Sequence, residues 1–533
     1  GPAIARMIAA EKQPVTESEG RVARARYEGS PVAAIIQASA QQTDEAATNR
    51  FKIPADLPGA KADPLQLPPF DPTESHATRR SAIESLFPEL PAPVIAPGLA
   101  ADASSVSFSL AQLQSTALQN SPALRTAVAN VNSARGIAVQ EGLYPNPVVG
   151  YEGDSLGTAR TMGYNGLMIT QEFVTAGKLT LAQSAAVMKI RAAEQDLRKA
   201  RIDLASNVRR GYFNVLIAQE QIKYARAMAH LSEEVYQSQI DLVAAGEAAG
   251  YEPLQLRVLA VQARNEIVRA ENELTAAWRG LAATLGVPTM AYHPLVGSAE
   301  MAVPIVEFDQ ASATLQTRHS DLAARQALIS SACYNLELQR VKPIPNITAY
   351  TALQHDDTSP LNDFAANIQV GIPLPLFDRN QGNIFAAHAG LGQAQQELAN
   401  RRNQLLAELA TAHAAYATNR TIADNYRNQM LPDQVRVYRG VYERFRTAGG
   451  SVDFAQIVVS QQALGDSVKG YLQALRDQWS ATVTLAQLMQ VDDFFGMDNF
   501  CNPQPDDVLP TRLPTQEPQA APPALPPAQL PRP

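Results

Sequence analysis

Few side chains in this sequence are spaced for chemistry. The seven histidines stand at positions 76, 230, 293, 319, 355, 388 and 413, and none forms His-x-x-x-His or joins a Cys/His cluster of the kind zinc needs. The best local metal candidate is "QHDDTSP", where His355, Asp356 and Asp357 set an imidazole beside two carboxylates between two strand-like runs. A solvated loop is the simpler expectation there. "GDSLGTARTMG", from Gly153, resembles an esterase nucleophile block, but no helix follows it and no His-containing partner block exists, so it reads as a hairpin loop. No glycine-rich loop is built to cradle phosphate. The two cysteines, Cys333 and Cys501, have no metal-binding spacing. Cys333 lies in an apolar helical pattern and is expected to be buried; a disulfide to Cys501 is an open alternative without support. The expectation is a protein with no catalytic residues, no cofactor and no metal site, that is, not an enzyme.

Composition narrows the class further. Charged residues are 18% of the 533, and the formal charge of -8 argues against a general nucleic-acid surface. No run of about 18 apolar residues exists, so no transmembrane helix is expected. A membrane barrel stays open, because its strands are short and alternate. The first thirty residues lack a signal-peptide pattern, so such a segment is expected to have been removed, or the chain to be a fragment.

The elements that remain are arranged twice. "NSPALRTAVANVNSARGIAVQEGLYPNPVVGYEG" from Asn120 parallels "HSDLAARQALISSACYNLELQRVKPIPNITAYTA" from His319, and Pro145-Asn146 recurs as Pro345-Asn346. "QEFVTAGKLTL" from Gln171 parallels "LPLFDRNQGNI" from Leu374, and "AAGEAAGYEPLQL" from Ala244 parallels "TAGGSVDFAQI" from Thr447. A single offset near 200 residues means a duplicated unit. Each unit reads helix, strand, strand, long helix, return helix. In the first, the spacing predicts a helix over Ser109–Leu143, strands over Pro147–Gly153 and Tyr164–Phe173, and a long helix over Leu179–Ala245 interrupted only by Gly211. Pro253 suits the first turn of the return helix, which ends at Gly286 and Pro288. In the second, strands are expected over Asn346–Leu353 and Ala366–Leu374, a long helix over Asn383–Ala448 kinked at Pro432, and a return helix over Val452–Gln490. Residues 1–103 form a Pro-rich extension, read as a linker or a strap on another surface; 104–298 and 299–495 are the two repeats; 496–533 is a disordered Pro-rich tail.

A helix of more than sixty residues spans roughly 100 Å at 1.5 Å per residue and needs companions along its length. Its small and aliphatic residues, three and four apart, give a narrow coiled-coil seam. Four strands cannot close a barrel alone. Either the sheet is covered in a soluble protein, or several chains pool their strands.

These residues resemble the TolC-like outer-membrane efflux proteins over about 104–495. "NSPALRTAVANVNSARGIAVQEGLYPNP" is similar to the family's first-helix signature, "LPLFDRNQGNI" to its strand-to-helix junction, and "MLPDQVRVYRGVYERFRTAGGSVDFAQIVVSQQAL" to its second-half tip. "FDRNQG" looks most like the heavy-metal cation-efflux branch. The resemblance implies a mainly α protein with a membrane β-barrel portion. It would be a homotrimer whose four strands per protomer build a twelve-stranded barrel in outer-membrane lipid, with long helices forming a periplasmic α-barrel. It implies a passive exit duct for solutes, either metal cations or small toxic compounds, docked end-on to a periplasmic adaptor and, through it, an inner-membrane pump. The alternative is a soluble periplasmic coiled-coil scaffold. Adaptor-contacting helix tips carry over to Gly246, Gly250 and Glu252 in the first repeat and to Gly449, Gly450, Ser451 and Asp453 in the second. Glycine turns present bare backbone to a partner, although the same glycines also cap helices. Two departures stand out: Val459 occupies the position where relatives carry an acidic constriction, and no cysteine near the start matches the lipid-bearing one of many relatives.

Overall fold

The computed structural model describes residues 57–60, 62, 65–69, 74–91, 107–157, 160–358, 363–447 and 454–491. The chain divides into two compact units, residues 1–67 and 68–533, and everything below lies in the second. Its first element, α1 (His76–Glu84), starts at Ser75, whose hydroxyl accepts the Thr78 amide. The Pro-rich reading of the leader missed this helix. The expected first-repeat helix is two helices, α2 (Leu110–Asn120) and α3 (Pro122–Glu141). Ser121 is extended between them, caps the Leu124 amide, and leaves Pro122 at the first helical position, where its missing N–H costs nothing. The second repeat breaks the same way: His319 separates α6 (Phe308–Arg318) from α7 (Ser320–Val341) with nearly the same backbone angles.

Strands β1 (Val148–Asp154), β2 (Tyr164–Phe173), β3 (Ile347–Asp356) and β4 (Phe364–Gly371) form one antiparallel sheet in that order. The Gly-Asp-Ser-Leu segment spans the end of β1 and the turn to β2. From the sheet the chain enters α4 (Lys178–Ala245), 68 residues without a break, and returns in α5 (Glu252–Thr284). Gly211 does not interrupt α4. A Cβ there would sit 3.0 Å from Leu281, so the glycine serves close approach of α4 and α5. The second repeat differs. Its α8 (Gln381–Asn425) passes through a π-turn (Tyr426–Met430) into α9 (Leu431–Thr447), and α10 (Phe454–Met489) returns. Pro432, where a kink was expected, follows the π-turn directly. It offers no N–H to the Asn428 carbonyl, and the Leu431 amide reaches back five residues to Tyr426.

The core sits at the middle of the long helices, not at their ends. Phe213 and Trp479 stack at 3.7 Å between centroids, with Tyr212, Trp278 and Leu281 around them. The segment between the repeats is laced onto this core: Trp479 Nε1 donates to the Ala299 carbonyl at 2.7 Å, Trp278 Nε1 to Met290 at 3.1 Å, and the Tyr212 hydroxyl to Val296. Phe108 joins Leu295 in a short parallel bridge. Cys333, expected to be buried, is exposed on the outer side of α7; Cys501 lies outside the described residues.

An ionic knot ties α4, α7 and α8. Asp321 accepts from Arg401 Nε at 2.7 Å and faces Lys199 at 3.8 Å and Arg325 at 3.6 Å; Arg401 also holds Glu408 at 3.0 Å. Burial alone would raise the Asp321 carboxyl, but the Arg401 hydrogen bond and the surrounding cations outweigh it and hold the group below its usual range. Buried His319 accepts the Asp321 amide on Nδ1 at 3.2 Å, and burial pushes its pKa down, helped by Arg401 and Lys199 against Asp321.

Two outcomes follow. Trp479→Ala empties the stacked core and removes a hydrogen bond, so thermal unfolding followed by helical circular dichroism should show a loss of about 3–5 kcal/mol. Both lowered pKa values give stability that is lost on acidification: the His319 part as pH falls below about 6.5, the Asp321 part only below about 4. His319→Asn, which keeps an acceptor at the cap without titrating, should flatten the dependence of melting temperature on pH between about 7 and 5 and leave the drop below 4.

Candidate functional site

The register sorts every strand residue onto one of two faces, because directly paired residues share a side. Val149 pairs with Ile169, Ile169 with Thr351, and Thr351 with Ile368; Tyr151, Leu167, Leu353 and Ala366 form the next row. This face carries Val149, Tyr151, Leu167, Ile169, Leu353, Phe364, Ile368 and Val370, all more than half exposed. Large apolar side chains covering one face of a sheet mark a surface meant for lipid or protein. The opposite face carries Glu152, Asp154, Thr170, Glu172, Tyr350, Gln354, Asp356, Asn367 and Gln369. Four carboxylates lie on it, and no strand residue of that face is Lys or Arg. Glu152 Oε2, the Tyr350 hydroxyl and Gln354 Nε2 are buried on this side without a hydrogen-bond partner from the chain.

The outer edges of β1 and β4 are unpaired in the sheet. The strand-to-helix junctions explain how so short a strand hands over to so long a helix. Gly177 and Asn380 occupy equivalent places before α4 and α8, both left-handed, at φ 64° and 59°. Asparagine is among the few residues with a side chain that visit this region routinely. Around the first junction, Asn346 accepts from Lys178 Nζ at 2.6 Å and donates to Glu172 at 2.7 Å, while the Thr175 hydroxyl donates to the Pro345 carbonyl at 2.7 Å. The repeated Pro-Asn pair is thus a clamp: the second copy of the motif locks the first repeat's turn. His355 and Asp357 lie 3.1 Å apart near the other end of the sheet, and no group of metal-ligating residues gathers there or elsewhere among the described residues.

At the far end of the helices is the first hairpin turn. Gly246 is exposed and left-handed at φ 80°, and the Glu247 amide reaches the Leu242 carbonyl at 2.9 Å, which ends α4 in a Schellman-type cap. Gly250 is not among the left-handed residues. Glu252 stands in the first turn of α5, but its carboxylate accepts from the buried Gln239 and is not free at the surface. Tyr251, which the sequence reading passed over, is 63% exposed beside the turn. Gly449, Gly450, Ser451 and Asp453 lie outside the described residues. Val459 is exposed on α10.

Residues 113–287 match the family described as outer membrane efflux protein. Over those residues the chain is similar to the outer membrane efflux proteins. Among curated relatives, the cobalt-zinc-cadmium resistance protein CzcC of Cupriavidus metallidurans is 26% identical over 372 residues, 69% of this chain and 86% of that one. The probable outer membrane lipoprotein SilC of Salmonella typhimurium is 24% identical over 67% of this chain and 80% of its own length. The fold is that of solved channels: CusC superposes with a TM-score of 0.60 at 20% identity, covering 76% of this chain and 98% of that one. VceC of Vibrio cholerae gives 0.59 at 18% identity, covering 71% and 95%. The family match and the curated relatives together favour an outer-membrane efflux channel over a soluble scaffold.

The turn geometry separates capping from docking at the two glycines. Gly246→Ala forces a side chain into left-handed backbone and should cost roughly 1–2 kcal/mol at the end of α4. Gly250→Ala should change thermal stability by less than about 0.5 kcal/mol. Melting curves of the two variants check this, and any loss of export in a Gly250 variant is then not a capping effect.

Proposed function

We propose that three copies of this chain pool their strands into a twelve-stranded barrel and their helices into a periplasmic tunnel. The assembly is a passive exit duct. It docks end-on, through the turns at Gly246–Glu252 and at Gly449, Gly450, Ser451 and Asp453, to a periplasmic adaptor that links it to an inner-membrane pump. Residues 104–298 and 299–495 are the two repeats that build it, with 1–103 and 496–533 as appended segments. The cargo is metal cations. The name of the Cupriavidus relative supports that choice, and so does a polar sheet face with four carboxylates and no strand cation.

The observation that carries the trimer is the duplicated register. Adding 200 to a β1 residue and 201 to its β2 partner reproduces the β3–β4 pairing: Val148↔Thr170 becomes Thr348↔Gly371, and Tyr151↔Leu167 becomes Thr351↔Ile368. The same shift applied to β2↔β3 generates a pairing between β4 of one copy and β1 of the next. Ile169↔Thr351 becomes Val370↔Tyr151, and Met168↔Ala352 becomes Gln369↔Glu152. Faces are kept: Val370 and Tyr151 are both on the apolar side, Gln369 and Glu152 both on the polar side. Copies related this way close the ring without leaving an edge in lipid, where each unpaired backbone group costs several kcal/mol.

The seam is tested by cross-linking. With Cys333 and Cys501 replaced by Ser, the double variant Tyr151→Cys, Val370→Cys should give covalent trimers on a non-reducing gel after detergent extraction. The pair Tyr151→Cys, Gln369→Cys, on opposite faces, should not. A water-extractable monomer with no cross-link would refute the duct.

A further inference from the structure

The leader before the first repeat contains a contact set that neither strand pooling nor the family match requires. Ile83 and Phe87 are buried to 1% and 5% exposure, which anchors α1 and the residues after it on the first hairpin. Arg80 pairs with Asp241 of α4 at 2.9 Å. Beyond α1 the chain runs without helix or strand through Pro88, Glu89, Leu90 and Pro91, and three of these carbonyls are bound. The Pro88 carbonyl accepts from the Tyr236 hydroxyl of α4 at 3.4 Å and from Arg257 Nε of α5 at 3.0 Å. Arg257 Nη2 also donates to the Glu89 carbonyl at 3.3 Å. Arg264, about two turns further along α5, donates to the Pro91 carbonyl and is steadied by Glu233 of α4 at 3.1 Å.

Two features make this more than surface packing. One carbonyl bonds both helices of the hairpin at once, so the segment bridges α4 and α5. All of its anchor points are near the turn: Tyr236 and Asp241 stand nine and four residues before the end of α4, and Arg257 and Arg264 five and twelve residues after the start of α5. At about 1.5 Å per residue, the contacts fall within roughly 20 Å of the tip. The donors are guanidinium groups, whose charge-assisted bonds are stronger than neutral ones, and the acceptors include prolines whose fixed φ keeps the segment's shape with little loss of freedom.

We propose that residues 75–91 are an intrachain splint that holds the two helices of the first hairpin together beside the turn and presents that turn in one fixed geometry. The second hairpin is built otherwise, with a π-turn in its descending limb. Arg257, Arg264 and Tyr236 are positioning residues in this arrangement. Its use in docking rests on the proposed duct; the splint itself does not.

Hydrogen exchange on the full chain in detergent tests it. In Arg257→Ala, Arg264→Ala, the amides of residues 240–256 should exchange about tenfold faster, those of α10 and the sheet at unchanged rates. Arg257→Lys, whose single ammonium replaces a fork that spans two carbonyls, should give an intermediate rise and decides the matter if the double variant fails to assemble. Free exchange of residues 77–87 with no change at 240–256 would make the segment a passenger and overturn the splint. The seam cross-link measured in the same samples separates the two proposals: tip amides that respond while the cross-link is absent would keep the splint and sink the duct.

Discussion

An antiparallel sheet of four strands leaves two rows of backbone N–H and C=O groups without partners, one along β1 and one along β4. In water such edges are tolerable. In the hydrocarbon core of a membrane they are not, because no solvent replaces the missing hydrogen bonds. The apolar face of the same sheet makes water the wrong surroundings for it, since Leu167, Ile169, Ile368 and Val370 stand exposed in a row. One surface asks for lipid and the two edges forbid it to a single copy. The duplicated register and the Pro345-Asn346 clamp at the first strand-to-helix junction stand beside that conflict.

The helices follow from the strands. Each pair of strands hands the chain to a long descending helix, which runs beside its neighbours rather than folding back on itself. Repeat one solves this with an uninterrupted α4 and a short return. Repeat two uses the same plan with a π-turn ahead of Pro432. The apolar core gathers where both hairpins and the linker between repeats meet, around Phe213 and Trp479. The knot of Asp321, Arg401, Lys199 and Arg325 fixes α7 and α8 to α4 on the membrane side of that core.

Movement of solute through such a protein needs no bond-making groups. The chemistry that matters is distributed: carboxylates along one sheet face, small residues between helices, bare backbone at a turn. Among the described residues no metal-ligating group gathers around His355, Asp356 and Asp357. A channel's specificity resides in which face of a strand looks inward, and in antiparallel sheets that is a property of pairing.

Much of this was legible in the residues. Strand β2 fell where alternation placed it, Tyr164–Phe173, and the long helix of repeat one began and ended within one residue of its expected bounds. Local signals sufficed there: period-two alternation, proline at the first turn of α5, glycine at the end of α4. Other features needed the fold. Ser121 ends a helix because Pro122 follows and a second helix packs beyond it, whereas an unbroken apolar pattern ran straight through. Gly211 looked like an interruption, yet it is a point of close approach to Leu281, a neighbour seventy residues away. Cys333 shared a helical apolar pattern but faces outward. Helix α1 hid between Pro-rich runs, and the binding of Pro88, Glu89 and Pro91 beyond it to Tyr236, Arg257 and Arg264 has no trace in local spacing. Sequence by itself determined the elements, their order and their duplication, because those are set by propensity and periodicity within a few turns of chain. Only the tertiary structure decided which side of each strand is apolar and what the leader binds, because a shift of one residue in pairing reverses every face, and pairing is made between segments nearly two hundred residues apart.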